Sequence, residues 1–319
     1  MTRLLMIFTL LFACPAWAAD AVYPPVTVKV KAVRLAEHSY YVPGLAGAAS
    51  AGNQGFMSNA GFVVTDEGVV VVDSLGTPSL AAAMLKQIRR ITQAPIKYAI
   101  VSHYHADHYY GLQVFKDAGA EIWAHETARG VLDAEAARLR FEQRKDILAP
   151  WITDRLQRFH GPDRWLAGDT DFTLGGVHFQ LRHVGPAHSP EDLALFVVED
   201  RVLYAGDIVF KGRVPFVGEA DSRAWLSALD QLIGFRPEVL VPGHGAASKT
   251  PMQDLALTRD YLVYLRTEMA RAVADLTPFD QAYEATDWSK YRRLPAFREA
   301  NRRNAYNTYI LMEKEFLSK

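Results

Sequence analysis

Cysteine is almost absent from this chain of 319 residues, with Cys14 the only one. That excludes intramolecular disulfides and any thiolate metal cage. Long apolar runs are missing as well: nothing approaches the roughly 18 residues that a membrane-spanning helix requires. Neither sign of charge is in excess, 35 Lys and Arg standing against 36 Asp and Glu. There is no basic stripe and no interleaving of basic with aromatic residues, which argues against nucleic acid and for a small-molecule substrate. Internal repeats and low-complexity tracts are absent too. What remains is an ordinary globular composition, 50% apolar, enough for one large or two modest cores. Nothing in it fixes an oligomeric state.

The first residues read as an export signal. Arg3 gives a short positive segment, residues 4–13 an apolar one, and Ala16-Trp17-Ala18 an A-x-A cleavage site. Residues 1–18 are therefore expected to be a signal peptide, with a mature chain starting near Ala19 in the periplasm. Cleavage there removes Cys14, and a cysteine-free chain suits an oxidising compartment. The alternative is a lipoprotein anchored through Cys14, because Leu11-Phe12-Ala13-Cys14 loosely resembles a lipobox, though Phe12 fits it poorly.

Apolar patterning predicts strands at 26–33, 61–64, 69–72, 98–101, 121–124, 177–184, 193–198, 202–205 and 239–241. Helices are expected at 78–91, after a Thr77 cap with Pro78 in the first position, and at 107–118, 127–140 and 223–233. Strands mixed with helices point to an α/β sandwich with helices covering sheets, although periodicity alone does not separate this from a doubly wound sheet. Residues 41–57 form a Gly-, Ala- and Ser-rich connection or lid. Beyond residue 250 the chain turns helical. Thr250-Pro251-Met252-Gln253 has the shape of a capping box, and Leu255, Leu262, Leu265, Met269 and Val273 recur along one face. A second amphipathic helix is expected at 295–316. The expected organisation is a domain over 19–250 and a helical extension over 251–319 packed on it.

The chemistry concentrates in Ile100-Val101-Ser102-His103-Tyr104-His105-Ala106-Asp107-His108. On an extended stretch His103 and His105 point to the same side. The chain then turns into a helix, so Asp107 and His108 aim at a second point close to the first. Imidazole and carboxylate are ligands that borderline divalent metals such as zinc prefer, and this spacing reads as a grip on two metals. Three more candidates follow short strand-like stretches in Gly- and Pro-rich turns. They are His188 in Gly185-Pro186-Ala187-His188-Ser189-Pro190, Asp207 after Val202-Leu203-Tyr204-Ala205-Gly206, and His244 in Val241-Pro242-Gly243-His244-Gly245. His38, His125, His160, His178 and His183 lack such a setting and are assigned to the surface or the core, His125 as a helix-entry residue.

At these residues the chain resembles metallo-β-lactamase-fold hydrolases, over roughly residues 55 to 250 and through five motifs in order. The resemblance implies an αββα sandwich of two mixed β-sheets flanked by helices, with the metals at one edge. It implies that His103, His105 and His188 hold one metal, that Asp107, His108 and His244 hold a second, and that Asp207 bridges them. This is a glyoxalase-II-like ligand set. Asp73, closing Val69-Val70-Val71-Val72-Asp73, matches a position that orients ligands by hydrogen bonds, although capping the turn after the strand is an equal reading. The extension and the ending Asn304-Ala305-Tyr306-Asn307-Thr308-Tyr309 look like SoxH-type periplasmic members, associated with sulfur oxidation or quinoprotein systems.

The function implied is hydrolysis of a thioester, lactone or related small ester by water activated between two divalent ions, zinc first and iron or manganese next. Asp107 would orient that water and relay a proton. Lys211 and Arg213, shortly after Asp207, could bind a substrate carboxylate, against a solvated surface role for each. The competing readings are an iron-dependent persulfide dioxygenase, a β-lactamase-like amide hydrolase, and a metal-holding accessory protein without turnover.

Overall fold

The computed structural model describes residues 23–318 apart from Glu219. The expected signal peptide and Cys14 lie outside the described residues. Strands β1 (Val33–Arg34), β2 (Ser39–Val42), β3 (Ala60–Thr65), β4 (Gly68–Val72), β5 (Ile96–Ile100), β6 (Glu121–His125) and β7 (Arg164–Leu166) form one sheet in sequence order. Its first four strands pair antiparallel and β4 to β7 run parallel. A second sheet has the order β12-β11-β10-β9-β8, built from β8 (Thr170–Leu174), β9 (Val177–His183), β10 (Leu193–Val197), β11 (Val202–Tyr204) and β12 (Val239–Val241). Only its β11–β12 pair is parallel.

Alternation along the strands explains how the layers stack. In β10, Leu193, Leu195 and Val197 enter the core between the sheets, while Ala194 and Phe196 face the outer helices. In β4, Val70 and Val72 face inward and Val69 and Val71 face the other helix layer. Each such Val or Leu contributes about 1.5–3 kcal/mol on full burial, and a one-residue slip would send every one to the wrong face. Helices α1 (Pro78–Ile91), α2 (Ala106–Tyr109), α3 (Leu112–Asp117) and α4 (Glu135–Leu148) cover the first sheet. Helices α5 (Ser222–Gly234), α6 (Pro251–Ala274), α7 (Phe279–Ala285) and α8 (Phe297–Leu317) cover the second. The molecule is thus the αββα sandwich expected. No helix among the described residues is long and apolar enough to cross a membrane.

Several elements depart from expectation for local reasons. Helix α1 keeps its expected ends because the Thr77 side chain accepts from Leu80 N at 3.1 Å. The helix expected at 107–118 is two, since Gly111 N turns back to Leu75 O and a Cβ at Gly111 would run into Ser74 O. The helix expected at 127–140 begins only at Glu135, after a single turn at Glu126–Ala128 and Gly130 with φ of 81°. Of the strand expected at 26–33 only Val33 joins a ladder; Val26, Val28, Val30 and Ala32 pack instead on the first helix layer. The capping box at Thr250 does not form, because the Thr250 side chain caps no backbone N–H and lies 3.2 Å from Ser248 Oγ instead.

Candidate metal centre

All seven candidate ligands gather at one edge of the sandwich, where strand ends and turns meet. His103 and His105 follow β5, and His105 starts α2, which carries Asp107 and His108. His188 lies in the turn between β9 and β10, Asp207 in a short helical turn after β11, and His244 just beyond β12. Gly206 takes φ of 51° to start that turn, a left-handed conformation open to glycine at no steric cost. A Cβ on Gly243 would occupy the place of Asp207 Oδ1.

The side chains form two clusters that share one carboxylate. In the first, His105 Nδ1 lies 3.0 Å from His103 Nε2 and 2.8 Å from His188 Nε2. Asp207 Oδ2 completes it, 3.4 Å from His188 Nε2 and 3.9 Å from His103 Nε2. In the second, Asp107 Oδ2 is 3.6 Å from His108 Nε2 and 3.3 Å from His244 Nε2. The other Asp207 oxygen, Oδ1, faces this cluster, 3.2 Å from His108 Nε2 and 3.4 Å from His244 Nε2. Ligands about 2.0–2.1 Å from a tetrahedral ion stand about 3.3–3.4 Å apart, so most of these separations already suit a bound metal.

Unpartnered polar atoms point the same way. Asp107 Oδ2, His108 Nε2 and Asp207 Oδ1 are buried without a hydrogen-bond partner. Each would cost about 1–3 kcal/mol if left so, and all three converge on one place. A divalent ion with nitrogen and oxygen ligands satisfies them together. The donor sets therefore fit a dinuclear centre.

The far sides of the rings are held in turn. Asp73, at the end of β4 with φ of 60°, accepts from Ser102 N and Ser102 Oγ and from His108 Nδ1, each at 2.8 Å. Ser102 Oγ lies 3.0 Å from His103 Nδ1, and His244 Nδ1 donates to Met57 O at 2.7 Å. These bonds leave Nε2 of His103, His108 and His244 as the free nitrogen. The Phe210 ring stacks on His244 at 5.2 Å, and Trp225 meets His188 edge-on at 5.3 Å.

Charge divides the clusters. Burial, reinforced by neighbouring imidazoles, keeps His103 and His105 well below the usual histidine range, and burial takes His188 down to about 4. Burial opposes charge on His108 and His244 as well, but carboxylates led by Asp207 outweigh it and lift His244 to about 9. Burial is likewise overcome at Asp107 and Asp207, which His108 and His244 hold well below the carboxylate range.

The clusters open into a cleft of about 880 Å³. Gly47, Ala48, Ala49 and Met57 of the 41–57 segment line one side, and that segment is tied by Leu45 N to Phe56 O at 2.8 Å. The stretch carrying Phe210, Arg213 and Phe216 lines another side. It is fastened to the C-terminal helices: Val214 N donates to Pro295 O at 3.0 Å, and Asn304 accepts from Val217 N at 2.9 Å and donates to Pro215 O at 2.7 Å. Arg213 enters the cleft, but Lys211 does not, its ammonium being 3.3 Å from Asp254 on α6. Arg140 and Arg144 on α4 also line the cleft. The sequence signal for them is an i, i+4 arginine pair, which a helix expected at 127–140 does not contain in full. The other histidines lie outside the two clusters. His125 caps the turn after β6 and stacks on His183 at 3.5 Å.

A family model described as "Metallo-beta-lactamase superfamily" matches residues 53–244. A linear primary-alkylsulfatase of Pseudomonas sp. (strain ATCC 19151) is 26% identical over 239 residues, covering 64% of this chain and 45% of that protein. A type 2 metallo-beta-lactamase of Elizabethkingia meningoseptica is 24% identical over 197 residues, covering 59% and 69%. Among solved structures, a stereoselective inverting sec-alkylsulfatase from Pseudomonas sp. superposes with a TM-score of 0.67 at 18% identity, over 88% of this chain and 50% of the other. The metallo-beta-lactamase from Pontibacter korlensis gives 0.59 at 18% identity, over 73% and 99%. The chain spans about half the length of the alkylsulfatases it matches.

Proposed function

The chain belongs to the metallo-beta-lactamase superfamily, and from that premise we propose that it is a dinuclear metal hydrolase of small ester-type substrates. The observation that carries the reading is Asp207, whose two oxygens face two separate clusters of ligands. His103, His105 and His188 would hold one ion, and Asp107, His108 and His244 the other. Bound there, the ions would lower the pKa of water to near neutrality and polarise an oxygen of the group under attack. Asp107 would orient the water and carry a proton, Asp73 would fix His103 and His108, and Arg213 would face the charge that develops on the substrate. Imidazole and carboxylate donors suit zinc, and they suit iron or manganese as well.

Thioesters, lactones and sulfate esters all present such an oxygen beside the bond that breaks. The sulfate ester is favoured by the alkylsulfatase relative and by the arginines of the cleft. The export signal read at residues 1–18 and the ending at 304–309 support a periplasmic, SoxH-type setting. The test is kcat/KM of the metal-loaded protein across acyl thioesters, lactones, alkyl sulfates and β-lactams. One of the three ester classes should exceed every β-lactam by more than tenfold. A β-lactam at the head of the panel would contradict the proposal. Oxygen consumption with a persulfide, and no hydrolysis, would replace it with a dioxygenase.

A further inference from the structure

One face of α4 turns toward the cleft. Ala136, Arg140, Gln143, Arg144 and Ile147 line it, spaced as neighbours on a single helical stripe. Neither Arg140 nor Arg144 makes an ion pair or hydrogen bond with any described residue, and no acid on α4 lines the cleft. Lys145, on another face of the same helix, is paired with both Glu142 and Asp154. Elsewhere arginines are commonly neutralised, as Arg259 is by Asp230 at 2.6 Å and Arg266 by Glu315 at 2.9 Å. Of the cleft's other carboxylates outside the metal clusters, Glu191 accepts from Tyr104 N through Oε1, its Oε2 being buried without a hydrogen-bond partner, and Asp221 caps α5. Glu299 lines the cleft from α8, and Arg213 feels its charge. The α4 wall is thus a pair of uncompensated guanidinium forks in a concave site, with apolar neighbours in Ala136, Ile147 and Val131.

Guanidinium forks match carboxylate, sulfate and phosphate geometry, and a concave site focuses their field. We propose that Arg140 and Arg144 form an anion subsite apart from the metal ligands, so that the substrate is an ester carrying a second, negatively charged group remote from its scissile bond. The reactive end lies over the metal clusters, the apolar body along the α4 wall, and the remote anion between the two arginines. This rests on the hydrolase reading for the reactive end, but the subsite can be measured without turnover.

Two matched pairs of probes test it on the metal-loaded protein. The first is adipate against hexanoate, by calorimetry, each offering one carboxylate to the metals and only adipate a second. The second is the phenyl thioester of glutaric acid monoacid against that of pentanoic acid, by KM. In each pair the wild type should favour the member with the remote carboxylate by about tenfold or more, the order expected of one charge-assisted contact. Arg140→Gln/Arg144→Gln should remove that preference, while Arg259→Gln, in a surface ion pair, should retain it. A wild type that binds adipate and hexanoate equally would overturn the proposal. So would a preference that survives the double substitution or is lost only in Arg213→Gln. If no thioester, lactone or alkyl sulfate turns over yet adipate is still preferred through Arg140 and Arg144, the hydrolase reading falls and the subsite stands.

Discussion

The two candidate ligand clusters share Asp207 but are built differently. The first is three imidazoles drawn from two parts of the chain, closed by one oxygen of the shared carboxylate. Its histidines are held neutral by burial. The second adds the Asp107 carboxylate to two imidazoles, and its histidines are drawn toward the charged state by the acids around them. The first cluster is thus richer in imidazole and the second richer in carboxylate charge. The halves are therefore suited to unequal roles: a neutral nitrogen-rich site beside an anionic one that stabilises higher positive charge.

Substitutions can break that comparison at four levels. The largest effect is expected from Asp207→Ala, which removes a ligand from both clusters at once. Its loss of activity should exceed the 10- to 100-fold typical of a supporting partner, and metal content should fall at both sites. His188→Ala and His244→Ala should each empty one cluster and leave the other, seen as a metal content near one per chain. If His244→Ala also empties the first cluster, the two are not separable. Asp73→Asn comes next. Because one carboxylate serves His108 directly and His103 through Ser102, it should weaken both sites by about 10- to 100-fold; metal titration would show whether only one responds.

The smallest effect lies in the cleft wall. Asn304→Ala leaves Val217 N and Pro215 O without their buried partner and should destabilise the fold by about 1–3 kcal/mol, measured as a shift in the denaturant midpoint. Metal content should hold, since Asn304 touches no ligand. A variant that loses metal but not stability would mean that the C-terminal helices act on the centre itself.

How far the sequence could be read follows from the range of the interactions involved. The candidate ligands that the structure brings together were legible because they sit in short motifs, and α1 because Thr77 and Pro78 fix its start locally. The break between α2 and α3 was not, since it depends on Ser74 O approaching Gly111 across 37 positions of sequence. Lys211 and Arg213 look alike in the sequence, yet Asp254 on a distant helix draws one away and leaves the other in the cleft. The start of α4 was misjudged because the apolar signal there is weak, with only Phe141 and Leu148 buried. A helix expected to end at residue 140 leaves Arg144 outside it. The role of the ending at 304–309 needed the partners of Asn304, which lie 87 and 89 positions away.

The central claim is that Asp207 joins two metal sites. Elemental analysis of the fully loaded protein and of Asp207→Ala, each normalised to chain concentration, tests it most directly. Two metals per chain in the wild type, falling at both sites in the variant, is the predicted result; one metal per chain in the wild type, or two retained without Asp207, would contradict it.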